Sequence, residues 1–141
     1  MKVRQILGGK GGTLITTAPD ATVADVTGVL REHRIGAIPV VDDGGRLVGI
    51  ISERDIVRAL PVRGATLLDV RVSELMTRNV QTCEPDELID TVMERMTTGR
   101  FRHLPVLEEG ALVGIVSIGD VVKSRLEELR TERDALSAYI R

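Results

Sequence analysis

Arg34-Ile35-Gly36-Ala37-Ile38-Pro39-Val40-Val41 is followed, after a short polar turn, by Leu47-Val48-Gly49-Ile50-Ile51-Ser52-Glu53-Arg54-Asp55-Ile56-Val57. Both runs return, as Arg100-Phe101-Arg102-His103-Leu104-Pro105-Val106-Leu107 and Leu112-Val113-Gly114-Ile115-Val116-Ser117-Ile118-Gly119-Asp120-Val121-Val122. The offset is 66 residues at the prolines and 65 at the glycines, because the turn Asp42 to Arg46 loses one residue in the second copy. A repeated unit of this size has a sheet face it cannot cover alone, so the two copies are expected to pair. In both copies a Ser-x-x-Asp stands where a strand becomes a helix, which points to binding rather than catalysis.

Working outward, each copy reads as short helix, strand, helix, strand, strand, helix. Val3 to Leu7 matches Val72 to Met76 as a lead-in, and a strand around Thr13 to Thr17 matches Asn79 to Cys83. Pro19-Asp20 and Pro85-Asp86 punctuate both copies ahead of a helix. There Val23, Val26, Val29 and Leu30, and then Leu88, Ile89, Val92, Met93 and Met96, fall at helical spacing. Ile38 to Val41, Leu47 to Ile51, Leu104 to Leu107 and Leu112 to Val116 are short apolar runs bounded by turn residues, as buried strands are. A closing helix begins at Ser52 or Ser117, and Pro61 to Arg71 connects the copies. The expected fold class is α/β (α+β), two β-α-β-β-α repeats packed with pseudo-two-fold symmetry into one module. Residues 1–71 form repeat 1 with its lead-in helix and connector, 72–125 repeat 2, and 126–141 a C-terminal helical extension.

Val122, Leu126, Leu129, Arg133, Leu136 and Ile140 step by 4, 3, 4, 3 and 4, the spacing of a heptad seam. Two readings of this helix stand side by side: a tail packed back on its own domain, or a dimer contact.

A chain of 141 residues has room for one compact domain that buries roughly 70% of its unfolded surface. At 43% hydrophobic and 28% charged it is expected to be globular rather than disordered. Phe101 and Tyr139 are the only aromatics, so the core is aliphatic, and base-stacking modes of nucleic-acid binding are disfavoured. A net charge of -2 supplies no field for nucleic acid or an acidic membrane. No run approaches the ~18 apolar residues of a membrane span. Met1 to Gln5 opens no signal-like stretch, so the expected location is the cytoplasm. Cys83 is the single cysteine, which excludes an internal disulfide and a cysteine-rich zinc site; it reads as a small buried hydrophobe.

Ser52-Glu53-Arg54-Asp55 and Ser117-Ile118-Gly119-Asp120 are the candidate chemistry. A Ser followed three residues later by an acid resembles a capping box, a purely structural helix start. A binding role needs the same geometry. A helix N-terminus offers free N–H groups and a positive dipole end to a phosphate, while an Asp carboxylate can accept both hydroxyls of a ribose diol. The recurrence of the arrangement, each time after Gly-Ile-(Ile/Val), favours a site.

With these motifs in place, nearly the whole chain resembles tandem cystathionine-β-synthase (CBS) domains, the Bateman module. The shared pattern is a lead-in helix, a Thr-rich strand before Pro-Asp, hydrophobic-Pro-Val-Val, and Gly-hydrophobic-x-[Ser/Thr]-x-x-Asp. The resemblance implies two clefts at the interface of the repeats, binding AMP, ADP, ATP, NAD or S-adenosylmethionine. It implies a first cleft in which Ser52, Arg54 and Asp55 face Asn79 and Val80, closed by Arg102, His103 and Leu104. Asp55 would hold the ribose diol, Ser52 phosphate or ribose, and Asn79 and Val80 the adenine edge through their main chain. Arg102, His103 and Arg54 would meet the phosphates. The second cleft joins Ser117, Gly119 and Asp120 to Gly12 and Thr13, with Gly36, Ala37 and Ile38 as its pre-proline wall. There Gly36-Ala37 replaces Arg102-His103 and Gly119 replaces Arg54, so side-chain cations are lost. Gly8-Gly9-Lys10-Gly11-Gly12-Thr13 is either a flexible hinge or the segment from which Lys10 supplies the missing cation.

The expected function is a regulatory adenine-nucleotide-binding module that signals to a downstream protein through conformational change or homodimerisation, with no catalytic residue, metal or catalytic cofactor. The alternative is an interaction protein with vestigial clefts whose C-terminal helix binds the partner.

Overall fold

The repeated text folds into two antiparallel hairpins. The computed structural model describes residues 1–10 and 14–140, the Lys10 side chain excepted. Hairpin strands β1 (Ala37–Val41) and β2 (Leu47–Ser52) answer to β3 (His103–Glu108) and β4 (Ala111–Ser117), and each pair forms its own two-stranded sheet. The helices are α1 (Val3–Lys10), α2 (Val23–His33), α3 (Glu53–Arg63), α4 (Val72–Leu75), α5 (Ile89–Gly99) and α6 (Ile118–Ile140).

Both hairpins slip register just after the residue that follows the proline, at Val40/Val41 and at Val106/Leu107, so the bulge is part of the repeat. Their turns differ as the one-residue offset demands. In the longer turn, Asp42 Oδ1 accepts the N–H groups of Gly44 (3.0 Å) and Arg46 (2.9 Å), an Asx turn. The shorter one places Glu109 (φ 51°) and Gly110 (φ 82°) in the left-handed region, as a two-residue hairpin with primed geometry requires.

The chain divides into two compact units that are cut differently from the sequence segments. One contains the described residues 14–80; the other contains 1–10 and 81–140. In the first, α4 docks on the Pro19 turn: the Val72 N–H donates to Ala21 O (2.8 Å) and the Ser73 N–H to Pro19 O (2.9 Å). In the second, α1 docks likewise on the Pro85 turn, Val3 N–H to Glu87 O (3.0 Å) and Arg4 N–H to Pro85 O (2.8 Å). These carbonyls satisfy donors that a helix start leaves orphaned. Each lead-in helix therefore packs with the hairpin of the other repeat.

In the first unit Val26, Leu30, Ile38, Val40, Ile51, Val72 and Met76 form the core, and Val23, Ala59, Leu67 and Val70 a satellite cluster. In the second the core is Val3, Ile6, Cys83, Ile89, Val92, Met96, Leu104, Val106, Val116 and Val121. Leu88, expected on the buried helix face, is instead the residue capping α5 and is exposed.

Three expectations need correction. The strands foreseen around Thr13–Thr17 and Asn79–Cys83 shrink, among the described residues, to single parallel bridges, Thr17 to Val40 and Cys83 to Val106. Each is tied at both ends, as in Thr17 N–H to Pro39 O (3.0 Å) and Val41 N–H to Thr17 O (2.9 Å). The proline at 19 or 85 stops each from extending. Pro39 itself costs β1 nothing against β2, since the edge where its N–H would lie faces Thr17. Second, the connector begins as helix: α3 runs through Pro61 to Arg63, and a 3-10 turn spans Gly64–Asp69. Third, Gly8, Gly9 and Lys10 are the end of α1 rather than a hinge, while Gly11, Gly12 and Thr13 lie outside the described residues.

The C-terminal helix packs on its own unit only over its first part. Val121 is buried, and Arg125 reaches Asp90 (3.3 Å) and Glu128 (3.8 Å), but every described residue from Leu129 onward is exposed. Among the described residues, no helix is long and apolar enough to cross a membrane.

Candidate functional site

α3 and α6 start where they do because a capping box closes each. Ser52 leaves β2 in extended conformation, and its Oγ accepts the Asp55 N–H at 3.3 Å. Asp55 Oδ2 accepts from the Ser52 N–H (2.8 Å) and from the Ser52 hydroxyl (3.0 Å). At α6 the Ser117 N–H donates to Asp120 Oδ2 (2.9 Å) and the Asp120 N–H to Ser117 Oγ (3.1 Å). The structural reading of the motif is therefore realised in both copies. Thr22 and Asp25 build the same box at the start of α2, where no site was expected, so the box alone does not make a site.

Its orientation leaves one acceptor edge open. Asp55 Oδ2 is occupied by the two cap bonds, whereas no hydrogen bond from a described residue reaches Asp55 Oδ1. A carboxylate oxygen has two lone-pair positions, enough for the two hydroxyls of a cis-diol. Ser52, Asp55, Ser117 and Asp120 are all half-buried, reachable yet positioned.

The helix starts offer fewer free donors than expected. The Glu53 N–H donates to Gly36 O (2.9 Å) and the Ile118 N–H to Arg102 O (2.8 Å). With Asp55 and Asp120 N–H in the boxes, the Arg54 and Gly119 N–H groups are those of the first three left uncapped by described residues. The two capping carbonyls went unforeseen; their only sequence signal is that Gly36 and Arg102 precede the repeated strand at equivalent places.

Within each unit the ladder sets pre-proline residues beside the serine: Ala37 pairs with Ser52 and His103 with Ser117. Of the residues expected in the first cleft, Ser52, Arg54, Asp55, Asn79 and Val80 belong to the unit spanning 14–80, and Arg102, His103 and Leu104 to the other. Of the second set, Ser117, Gly119 and Asp120 lie in one unit and Gly36, Ala37 and Ile38 in the other. Gly12, Thr13 and the Lys10 side chain are outside the described residues. Ile38 and Leu104 are wholly buried in their cores and Ala37 nearly so, whereas Arg54, Asn79, Arg102 and Gly119 are exposed.

Burial pushes the Cys83 thiol up to about 12, so it stays protonated and unreactive at neutral pH. Among the described residues no three His, Cys, Asp or Glu side chains gather as a metal site.

Comparison with known proteins completes the description. The family model of the CBS domain matches residues 13–62 and 72–127. The mitochondrial CBS domain-containing protein CBSX3 of Arabidopsis thaliana is 37% identical over 133 residues, which is 92% of this chain and 65% of that protein's length. The crystal structure of the CBS-domain containing protein ATU1752 from Agrobacterium tumefaciens superimposes with a TM-score of 0.85 at 46% identity, covering 89% of this chain and 99% of that one. The CBS domain pair of MJ0100, solved in complex with 5'-methylthioadenosine and S-adenosyl-L-methionine, gives a TM-score of 0.79 at 33% identity over 92% and 98% of the two chains.

Proposed function

Because the chain belongs to the CBS domain family, we propose that it is a regulatory module that binds an adenine nucleotide at the helix starts of its Ser-x-x-Asp motifs. The observation that carries this is the open Oδ1 edge of Asp55, held in place by the bonds on Oδ2. The adenosine-containing ligands of the MJ0100 pair support the ligand class. Asp55 takes the ribose diol, Ser52 and the Arg54 N–H take polar atoms beside it, and Asn79 and Val80 contact the base through their main chain. Arg54, Arg102 and His103 supply charge for phosphate, and Ser117 and Asp120 form the equivalent site of the other repeat. AMP, ADP, ATP and NAD share these groups. Occupancy reaches a downstream protein only through a difference in ligand affinity between two conformations or association states. No catalytic role is proposed.

Calorimetric titration with AMP, ADP, ATP, NAD and S-adenosylmethionine tests this. At least one is expected to bind, with Asp55→Ala losing about tenfold or more in affinity, the value of a hydrogen bond to a charged group. Asp25→Ala removes the same kind of cap from α2 and is expected to leave binding unchanged. Equal losses in both variants would show that only a helix cap had been removed.

A second reading is favoured by α6, where Leu126, Leu129, Leu136 and Ile140 are 51%, 44%, 63% and 81% exposed along the heptad seam. In it the chain is an interaction protein, and a second copy is the first partner to test. Sedimentation velocity is expected to show a dimer that Leu129→Glu with Leu136→Glu converts to monomer; a monomeric wild type sinks the self-association.

A further inference from the structure

The two units present opposite surfaces at equivalent places. On one, Asp90 of α5 reaches Arg125 of α6 at 3.3 Å, a charged crossbar between its helices. The repeat offsets, 66 residues from α2 to α5 and 65 from α3 to α6, put Ala24 and Leu60 at those positions in the other unit. Ala24 is exposed, and so is Leu60, at 54%. An ion pair has thus given way to an apolar surface open to water. Val57, one helical turn before Leu60, is 65% exposed, and Pro61 and Val62 beyond it are exposed as well. Single exposed apolar residues are ordinary, whereas a contiguous group marks a place where another surface binds.

Charge decides what fits. From Ile56 to Leu68 the charged residues are Arg58 and Arg63, with no acid among them. Arg63 pairs with Glu74 (3.7 Å), but Arg58 is exposed and its side chain meets no hydrogen-bond or ion-pair partner among the described residues. The matching occupant is an apolar helix face edged with acid, and the chain carries one. α6 is exposed from Leu129 onward, with Leu129, Leu136 and Ile140 along one face. Glu132 stands one turn from both Leu129 and Leu136, and no described residue pairs with its side chain. Residues 126–140 hold Glu127, Glu128, Glu132 and Asp134 against Arg130 and Arg133, an acidic balance. Pairing α6 with a second α6 is the poorer match, since the seam from Val122 to Ile140 falls short of three heptads and has Arg133 inside it.

We infer that the exposed end of α6 from one copy docks on α3 of a second copy, an inference that rests on the self-association reading given above. Leu129 and Leu136 of one copy cover Val57 and Leu60 of the other, and Glu132 stands opposite Arg58. Apolar burial supplies the affinity, and the charge pair selects this surface over others. A stable interface takes roughly 800 Å² from each partner. Two-fold symmetry meets that need by making the contact twice, each copy giving one helix end and receiving the other.

Cysteine cross-linking in the full chain tests this, because Cys83 is buried and unreactive. Val62→Cys and Leu136→Cys, both at exposed positions, are combined in one chain and treated with a bismaleimide. The double variant is expected to give a covalent dimer that neither single variant gives. A covalent dimer from Leu136→Cys alone shows α6 against α6, and one from Val62→Cys alone shows α3 against α3. Either result overturns the assignment and leaves self-association standing. A double variant that sediments as a dimer without cross-linking overturns it too, and a monomeric wild type removes both readings. In sedimentation equilibrium Arg58→Glu is expected to weaken the dimer about fivefold, and Glu132→Arg in the same chain to restore it. Leu60→Glu is expected to be monomeric with unchanged far-UV circular dichroism, and a dimer of wild-type strength from it overturns the docking site.

Discussion

Leu104→Ala is expected to destabilise the protein by about 2–5 kcal/mol, the range for truncating a fully buried leucine. Leu104 is 0% exposed, on β3 directly opposite Val116, in a cluster closed by Val3 and Ile6 from α1 and by Ile89, Val92 and Met96 from α5. Its neighbours are anchored by backbone bonds, strand to strand and α1 to the Pro85 turn, so they cannot collapse into the space. Ile38→Ala, the same repeat position opposite Ile51, is expected to cost a similar amount for the same reason. Leu136→Ala on the exposed end of α6 is expected to change stability by less than about 0.5 kcal/mol in a monomeric protein. Urea unfolding at constant slope measures all three. A loss below about 1 kcal/mol at Leu104 would contradict the rigid, well-packed core described above.

Gly49→Ala is expected to cost about 1–3 kcal/mol by overpacking. A Cβ there would stand 2.9 Å from the Thr77 carbonyl oxygen and 2.8 Å from Met76 Sδ. That carbonyl cannot withdraw cheaply, because it accepts the Ile50 N–H at 3.0 Å and the Thr77 N–H is bonded in return to Ile50 O at 2.9 Å. The equivalent Gly114→Ala meets only the tip of Leu7, with Cδ2 at 2.6 Å and the next atoms at 3.5 and 3.6 Å, and a leucine rotamer can turn away. The ordering, Gly49 costlier than Gly114, is the measurable claim, again read from urea midpoints. The repeated glycine thus has a packing reason: it lets the lead-in segment of the other repeat cross close to the strand.

The hairpins and capping boxes were legible because their determinants are neighbours in the chain. Ser52 and Asp55 are three residues apart, and Asp42 reaches the N–H groups of its own turn. The site was half legible on the same terms. The Ser-x-x-Asp pairs could be named from spacing, but the carbonyls of Gly36 and Arg102 that consume a helix N–H come from across the hairpin, and no local pattern announces them. The same limit applies to the short strands. Thr-rich extended segments look alike whether they pair along their length or at one residue, and it is the partner strand and the following proline that leave only Thr17 and Cys83 bridged.

By itself the sequence determined that two copies of one unit exist, that each carries a hairpin and a capped helix start, and where the charges of the two copies differ. These follow from period, turn chemistry and capping, all of which act within a few residues. Only the tertiary structure decided that α1 and α4 pack with the hairpin of the opposite repeat. It alone decided that the side chains of Ile38 and Leu104 are wholly buried, and that no hydrogen bond from a described residue reaches Asp55 Oδ1. Those outcomes depend on which distant segment supplies a carbonyl or covers an apolar face. That choice is made by the burial of the whole chain, not by any stretch of it.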